Sequence, residues 1–210
     1  MQRRSFRGEA GRPFGTVAAL LCLLLSVALL VLWDVARDLI GAADPFHADP
    51  ASAAGYWGVL LAAEIVKATT AIAILLAVWT LSGPIGPRSP RSIAALALGT
   101  IGAVLIGVSA HWYIEAAAWL GDGRVSPMGT PMAMLSAAGL VCLGLWAGLL
   151  MLEARVARSL PGWVQGLGLL LAATCLMAAA LPALALAAVS VSVAWWAAVF
   201  ATLYRPEDRT

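Results

Sequence analysis

Two residues of opposite charge stand three apart inside the stretch GYWGVLLAAEIVKATTAIAILLAVWTL, residues 55–81. They are Glu64 and Lys67, and Lys67 is the only lysine in a chain that otherwise uses arginine. Residues three apart on a helix share a face, so carboxylate and ammonium can pair. Such a pair could relay a proton or ion, supply a ligand's counter-charge, or lock helices together. Thr70, three residues further, could prolong the polar line.

A second constellation is His111 and Glu115, four apart in HWYIE. Both side chains could reach one metal ion from a single helix face. Two ligands are too few, and Asp34, Asp38, His47 or Glu64 would have to complete the set. The third constellation, Asp34, Arg37 and Asp38, has helical spacing and suits a helix end that carries its own salt bridges.

These groups need elements to hold them, and composition says which. Of 210 residues, 62% are hydrophobic and only 11% charged. Soluble domains average roughly 45–50% apolar and about 25% charged. The chain is therefore expected to be an all-α integral membrane protein, a polytopic helical bundle. Spans of about 20 apolar residues fall at about 17–40, 56–81, 92–120, 130–152, 163–181 and 183–204. The last two come from one run, 163–204, divided at Pro182 by a tight turn. The alternative is a single kinked helix with a re-entrant piece, giving five spans. Residues 1–15 form a short basic tail, 16–204 a single transmembrane domain and 205–210 a second tail. MQRRSFRG has the look of a twin-arginine export motif, but the apolar run after it is long for a signal, and an uncleaved first helix is expected.

Arginine placement orients the bundle. With six spans and the N-terminus inside, the cytoplasmic segments hold Arg3, Arg4, Arg7, Arg12, Arg88, Arg91, Arg155, Arg158, Arg205 and Arg209. The outer side holds only Arg37 and Arg124, together with Asp34, Asp38, Asp44, Asp49, Glu115, Asp122 and both histidines. Both termini are thus expected in the cytoplasm of a bacterium, with the chain in its inner membrane. Trp33, Tyr56, Trp57, Trp112, Tyr113 and Trp119 would form an outer aromatic belt; Trp79, Trp163 and Tyr204 would mark the inner one. Glu64 and Lys67 would lie about 12 and about 16 Å below the outer surface, at about 1.5 Å per residue. A charge at that depth costs roughly 2.5 kcal/mol or more.

Small residues should set the packing. Ala95, Gly99, Ala103 and Gly107 recur every fourth position and lead to His111 and Glu115, which the groove would deliver beside a neighbouring helix. Gly144 with Gly148, and Gly162 with Gly166, form further close-approach pairs. Cys22, Cys142 and Cys175 lie in apolar runs with no zinc, CxxC or disulfide spacing.

The chain carries no GxSxG, HExxH, Walker or dinucleotide-binding loop, no prenyltransferase-type carboxylate pattern and no basic-aromatic surface for nucleic acid. Two histidines, one in a loop, do not suit a bis-histidine haem. An enzyme is not the expectation, and no cofactor is specified. The segment DPFHADPASAAGYWGVLLAAEIV, residues 44–66, resembles the entry to the second helix of one of the membrane subunits of the copper membrane monooxygenases, the particulate methane and ammonia enzymes. The likeness rests on Asp44, Phe46, Tyr56, Trp57, Glu64 and Ile65, about a tenth of the chain. It implies a helical membrane subunit of a larger assembly. The family's later aspartate and two histidines, which hold metal, have no counterpart in GDGRVSPMGTPMAMLSAAG, so the metal function does not carry over.

The leading expectation is accordingly a non-catalytic subunit or assembly partner of a larger membrane complex, in contact with lipid and with other subunits or copies of itself. A small proton- or ion-coupled transporter using Glu64 and Lys67 is the alternative. It would need a polar cavity, to which the last three spans offer only Ser136, Gln165, Thr174, Ser190 and Ser192. A metal or quinone site at the outer surface, around His111 and Glu115, is the third reading.

Overall fold

The computed structural model describes residues 11–40, 55–82, 89–122 and 129–204. It is helical: α1 (Gly11–Ile40), α2 (Trp57–Ser82), α3 (Pro90–Gly121), α4 (Gly129–Ala157), α5 (Gly162–Ala180) and α6 (Ala185–Leu203), with a one-turn 3-10 segment at Pro182–Leu184. Among the described residues, six helices are long and apolar enough to cross a membrane. Lipid offers backbone groups no partners, and helices satisfy them internally.

The chain breaks at Pro182 for local reasons. Proline lacks the N–H that would continue α5, and its ring pushes the preceding residue out of the helical region. Leu181 accordingly turns extended, at φ −131° and ψ 90°, while its own N–H still donates to the Met177 carbonyl at 2.8 Å. Pro182 then opens the next helical segment, where its fixed φ and missing N–H cost nothing. The run 163–204 is therefore two helices, and the described residues hold six helices long enough to span rather than five and a re-entrant piece. α1 starts before the apolar run at 17, and α4 runs past 152 to Ala157. α4 ends with Arg158 in the left-handed region, φ 50°, and with Ser159 N–H donating to the Ala154 carbonyl at 3.1 Å.

Each helix packs on its neighbour in sequence, and α6 packs back on α1. The six thus close into a ring. Bulky apolar side chains such as Leu24, Ile72, Met134 and Val156 point outward and are more than half exposed. That surface suits lipid tails and is compatible with a multi-pass membrane protein.

Close approach inside the ring depends on small residues. A Cβ on Gly99 would come within 2.8 Å of Val78 and Trp146, and one on Gly102 within 3.0 Å of the Leu143 backbone nitrogen. Gly139 answers Gly102 from α4: its Cβ would lie 3.2 Å from the Gly102 carbonyl oxygen. Gly107 faces Ala71, and Gly144 and Gly148 seat α5 at Ala172.

Three packing expectations need correction. The four-residue line of α3 does not reach His111 as a buried groove. A step of four residues overshoots a turn by about 40°, so the line winds out of the interface. Burial on α3 instead follows Ala103, Ile106, Ala110, Tyr113 and Ala117, and His111 and Glu115 are exposed. Gly162 and Gly166 meet nothing within 4 Å, because at the start of α5 they face away from the bundle. Tyr113 is only 7% exposed and belongs to the interior, whereas Tyr56, Trp57, Trp79, Trp163 and Tyr204 are exposed as belt residues would be.

Candidate functional site

The ring surrounds a partly open cavity of about 240 Å³ whose wall includes residues from all six helices. Its length follows from the wall. Trp33, Tyr113 and Pro182 line it toward the helix ends that carry the acidic residues, and Trp146 and Trp196 line it deeper in the bundle. Among the described residues, the single charged side chain on this wall is Lys67.

α2 places Lys67 there because Glu64, one turn away, is drawn into the helix packing. Glu64 has no exposed surface, and the Lys67 side chain keeps 13%. The ammonium Nζ lies 3.0 Å from Glu64 Oε2. It donates to Ser136 Oγ of α4 at 3.4 Å and sits over the Tyr113 ring of α3, 4.6 Å from its centroid. Three helices therefore converge on one cation. A cation over an aromatic face is favourable, by up to about 2 kcal/mol when desolvated.

The polar line continues into α3. Ser136 Oγ donates to Ser109 Oγ at 2.9 Å, and Ser109 Oγ to the Ile106 carbonyl at 2.9 Å. Each hydroxyl along this line passes its hydrogen onward in one direction. Thr70 and Ser192 also line the cavity, with hydroxyls donating to the Val66 and Val189 carbonyls at 2.7 Å. Gln165, Thr174 and Ser190 are not on the wall; their side chains donate to backbone carbonyls of their own surroundings.

The deep end is aromatic. Trp146 meets Trp195 edge to face, with ring centroids 5.9 Å apart, and Trp195 packs on Trp196 at 4.5 Å. Trp146 Nε1 donates to Ser82 Oγ at 3.3 Å, which fixes the indole between α4 and α2. Gly168 lets Met151 and Trp195 close on α5; a Cβ there would come within 2.9 Å of Trp195 Nε1.

The other sequence candidates lie outside this site. Arg37 pairs with Asp34 at 2.6 Å and with Asp38 at 3.5 Å, all three at the surface. His111 Nε2 lies 3.5 Å from Glu115 Oε1, with both side chains more than 60% exposed. Neither Asp34, Asp38 nor Glu64 joins them: among the described residues no group of three or more His, Cys, Asp or Glu gathers to hold a metal. His47, Asp44 and Asp49 lie outside the described residues, as do Phe46 and the arginines at 3, 4, 7, 88, 124, 205 and 209. The cysteines Cys22, Cys142 and Cys175 are free thiols, and Cys175 lines the cavity.

Sequence reasoning missed Tyr113, Ser109 and the Trp146–Trp195–Trp196 cluster. The signal for the tryptophans was their depth, since an indole at a span's middle has no interface to sit in. Tyr113 could have been found from the alternating steps of three and four between α3's buried positions.

Comparison of the chain with protein-family models, with curated proteins and with solved structures gives no match.

Proposed function

We propose that this is a multi-pass membrane protein that binds a small, mostly apolar molecule in the chamber at the centre of its helix ring. The observation that supports this most strongly is Lys67: the cavity wall is mostly apolar and carries one cation, held by three helices and facing inward. An apolar pocket with a few convergent polar groups is the usual form of a small-molecule site. This takes up the binding step of the carrier reading and assigns Glu64 and Lys67 to it. Orientation is part of the proposal. Arg91, Arg155 and Arg158 lie at one end and Asp34, Asp38, Glu115 and Asp122 at the other, so the chamber opens its polar part toward the outer half of a bacterial inner membrane.

Naphthalene tests it. A ligand that binds only the folded state raises the melting temperature. Naphthalene should stabilise the purified protein, and Ala137→Phe, which fills the cavity wall, should remove that effect. Equal stabilisation of both proteins would place naphthalene outside the chamber and overturn the reading.

The accessory-subunit reading has its own support in Gly162 and Gly166. They leave an open four-spaced notch on the outside of α5, beside the exposed Trp163, and such notches seat helices of other subunits or copies. The likeness to a monooxygenase subunit would make that complex a redox one. Co-purification of stoichiometric partner chains is its test.

A further inference from the structure

The charge on the wall predicts what kind of molecule the chamber accepts. Lys67 is a cation, which by itself would favour an organic anion. The ion pair behind it changes that expectation. Glu64 Oε2 is 3.0 Å from Nζ and carries no exposed surface. The carboxylate and the ammonium together sum to zero charge. An arriving anion would leave the site with a net charge of −1, surrounded by apolar side chains, and a buried uncompensated charge is expensive. A neutral molecule leaves the balance untouched.

The hydrogen bonds add a second criterion. Thr70, Ser136 and Ser192 have their hydroxyl hydrogens committed elsewhere, to Val66, Ser109 and Val189. The ammonium of Lys67 is a pure donor. Lys67 can therefore meet an acceptor oxygen on the ligand, while the oxygens of Thr70, Ser136 and Ser192 are left only to accept. Size follows from volume: a cavity of roughly 150 Å³ admits benzene, so about 240 Å³ suits about ten non-hydrogen atoms.

We infer that the chamber selects neutral, mostly apolar molecules with one acceptor oxygen directed at Lys67, and that Glu64 sets this selectivity by cancelling the charge of Lys67. The natural ligand class is then a small lipophilic ketone, ester or alcohol that partitions into the bilayer. This rests on the reading of the cavity as a ligand chamber, and the experiment separates the two.

Three probes of matched size are compared in uncharged detergent at neutral pH: propylbenzene, acetophenone and benzoate, each corrected with detergent alone. Wild-type protein should bind acetophenone more tightly than propylbenzene and at least about tenfold more tightly than benzoate. Lys67→Met should lower acetophenone to the level of propylbenzene. Glu64→Gln leaves the cation uncompensated and should bring benzoate above acetophenone. Benzoate binding to wild type as tightly as acetophenone would overturn the charge inference and leave the chamber standing. Acetophenone binding no better than propylbenzene in wild type would overturn the acceptor criterion. No binding of any probe would remove the chamber reading itself. Should Glu64→Gln fail to fold, the wild-type ranking and Lys67→Met still decide.

Discussion

Among the residues of the cavity site, one carboxylate, Glu64, is fully buried. It lies against Lys67, so removing the lysine takes the nearby ammonium from a carboxylate that has no exposed surface. Lys67→Met should destabilise the purified protein by about 3 kcal/mol, the lower end for a broken buried pair. Glu64→Gln combined with Lys67→Met should recover most of that loss, because neither charge is then stranded. Thermal unfolding in detergent checks both; a double variant no better than the single one would contradict a charge-pair explanation. The surface pairs are different. Arg37 with Asp34 and Asp38 lies in the exposed class of ion pair, whose worth is about 0–1 kcal/mol. Arg37→Ala should shift the melting temperature little. Glu64 and Lys67 were legible as a pair from their three-residue spacing alone. Their partners were not, because Tyr113 and Ser136 reach the ammonium from two other helices, and a spacing rule sees only one helix at a time.

At the scale of the element, glycine contacts hold the ring together. Helices in lipid gain nothing from hiding apolar faces, so they associate where backbones can approach. The Gly102–Gly139 crossing of α3 and α4 is such a place. Gly102→Ala would push its methyl against the Leu143 backbone and should cost about 1–3 kcal/mol. Gly148→Ala meets only the Ala172 Cβ at 3.8 Å, an ordinary contact, and should be tolerated. Equal effects of the two substitutions on unfolding would contradict the packing described. The end of α4 gives a prediction of opposite sign. Arg158 holds φ 50°, a conformation that glycine adopts without a Cβ penalty. Arg158→Gly should therefore raise stability by about 1 kcal/mol. The helices themselves were legible, since length, apolarity and Pro182 determine them locally. The faces were harder to read. The four-residue small line of α3 suggested an interface through His111, yet helical twist carries that line outward and leaves Ala110 and Tyr113 inside.

At the scale of the whole molecule, the closure of α6 on α1 turns a series of hairpins into a ring with a chamber. No local pattern specifies that closure. It depends on which helix the last span meets, and the meeting of Leu203 with Gly15 shows where the two ends of the bundle come together. The chamber was for that reason invisible in the sequence, even though its wall residues Ser136 and Ser192 could be named. Topology carries a separate prediction: a cysteine at Arg158 should be labelled by impermeant reagent only from the cytoplasmic side, and one at His111 only from outside. The reverse pattern would invert the proposed orientation while keeping the ring. Locating a bound probe decides whether the ring holds a ligand. A crystal structure of the protein soaked with bromonaphthalene should show one bromine anomalous peak inside the ring, between Lys67 and Trp196. Bromine found only on the lipid-facing surface, with the space between Lys67 and Trp196 unchanged, would contradict the account.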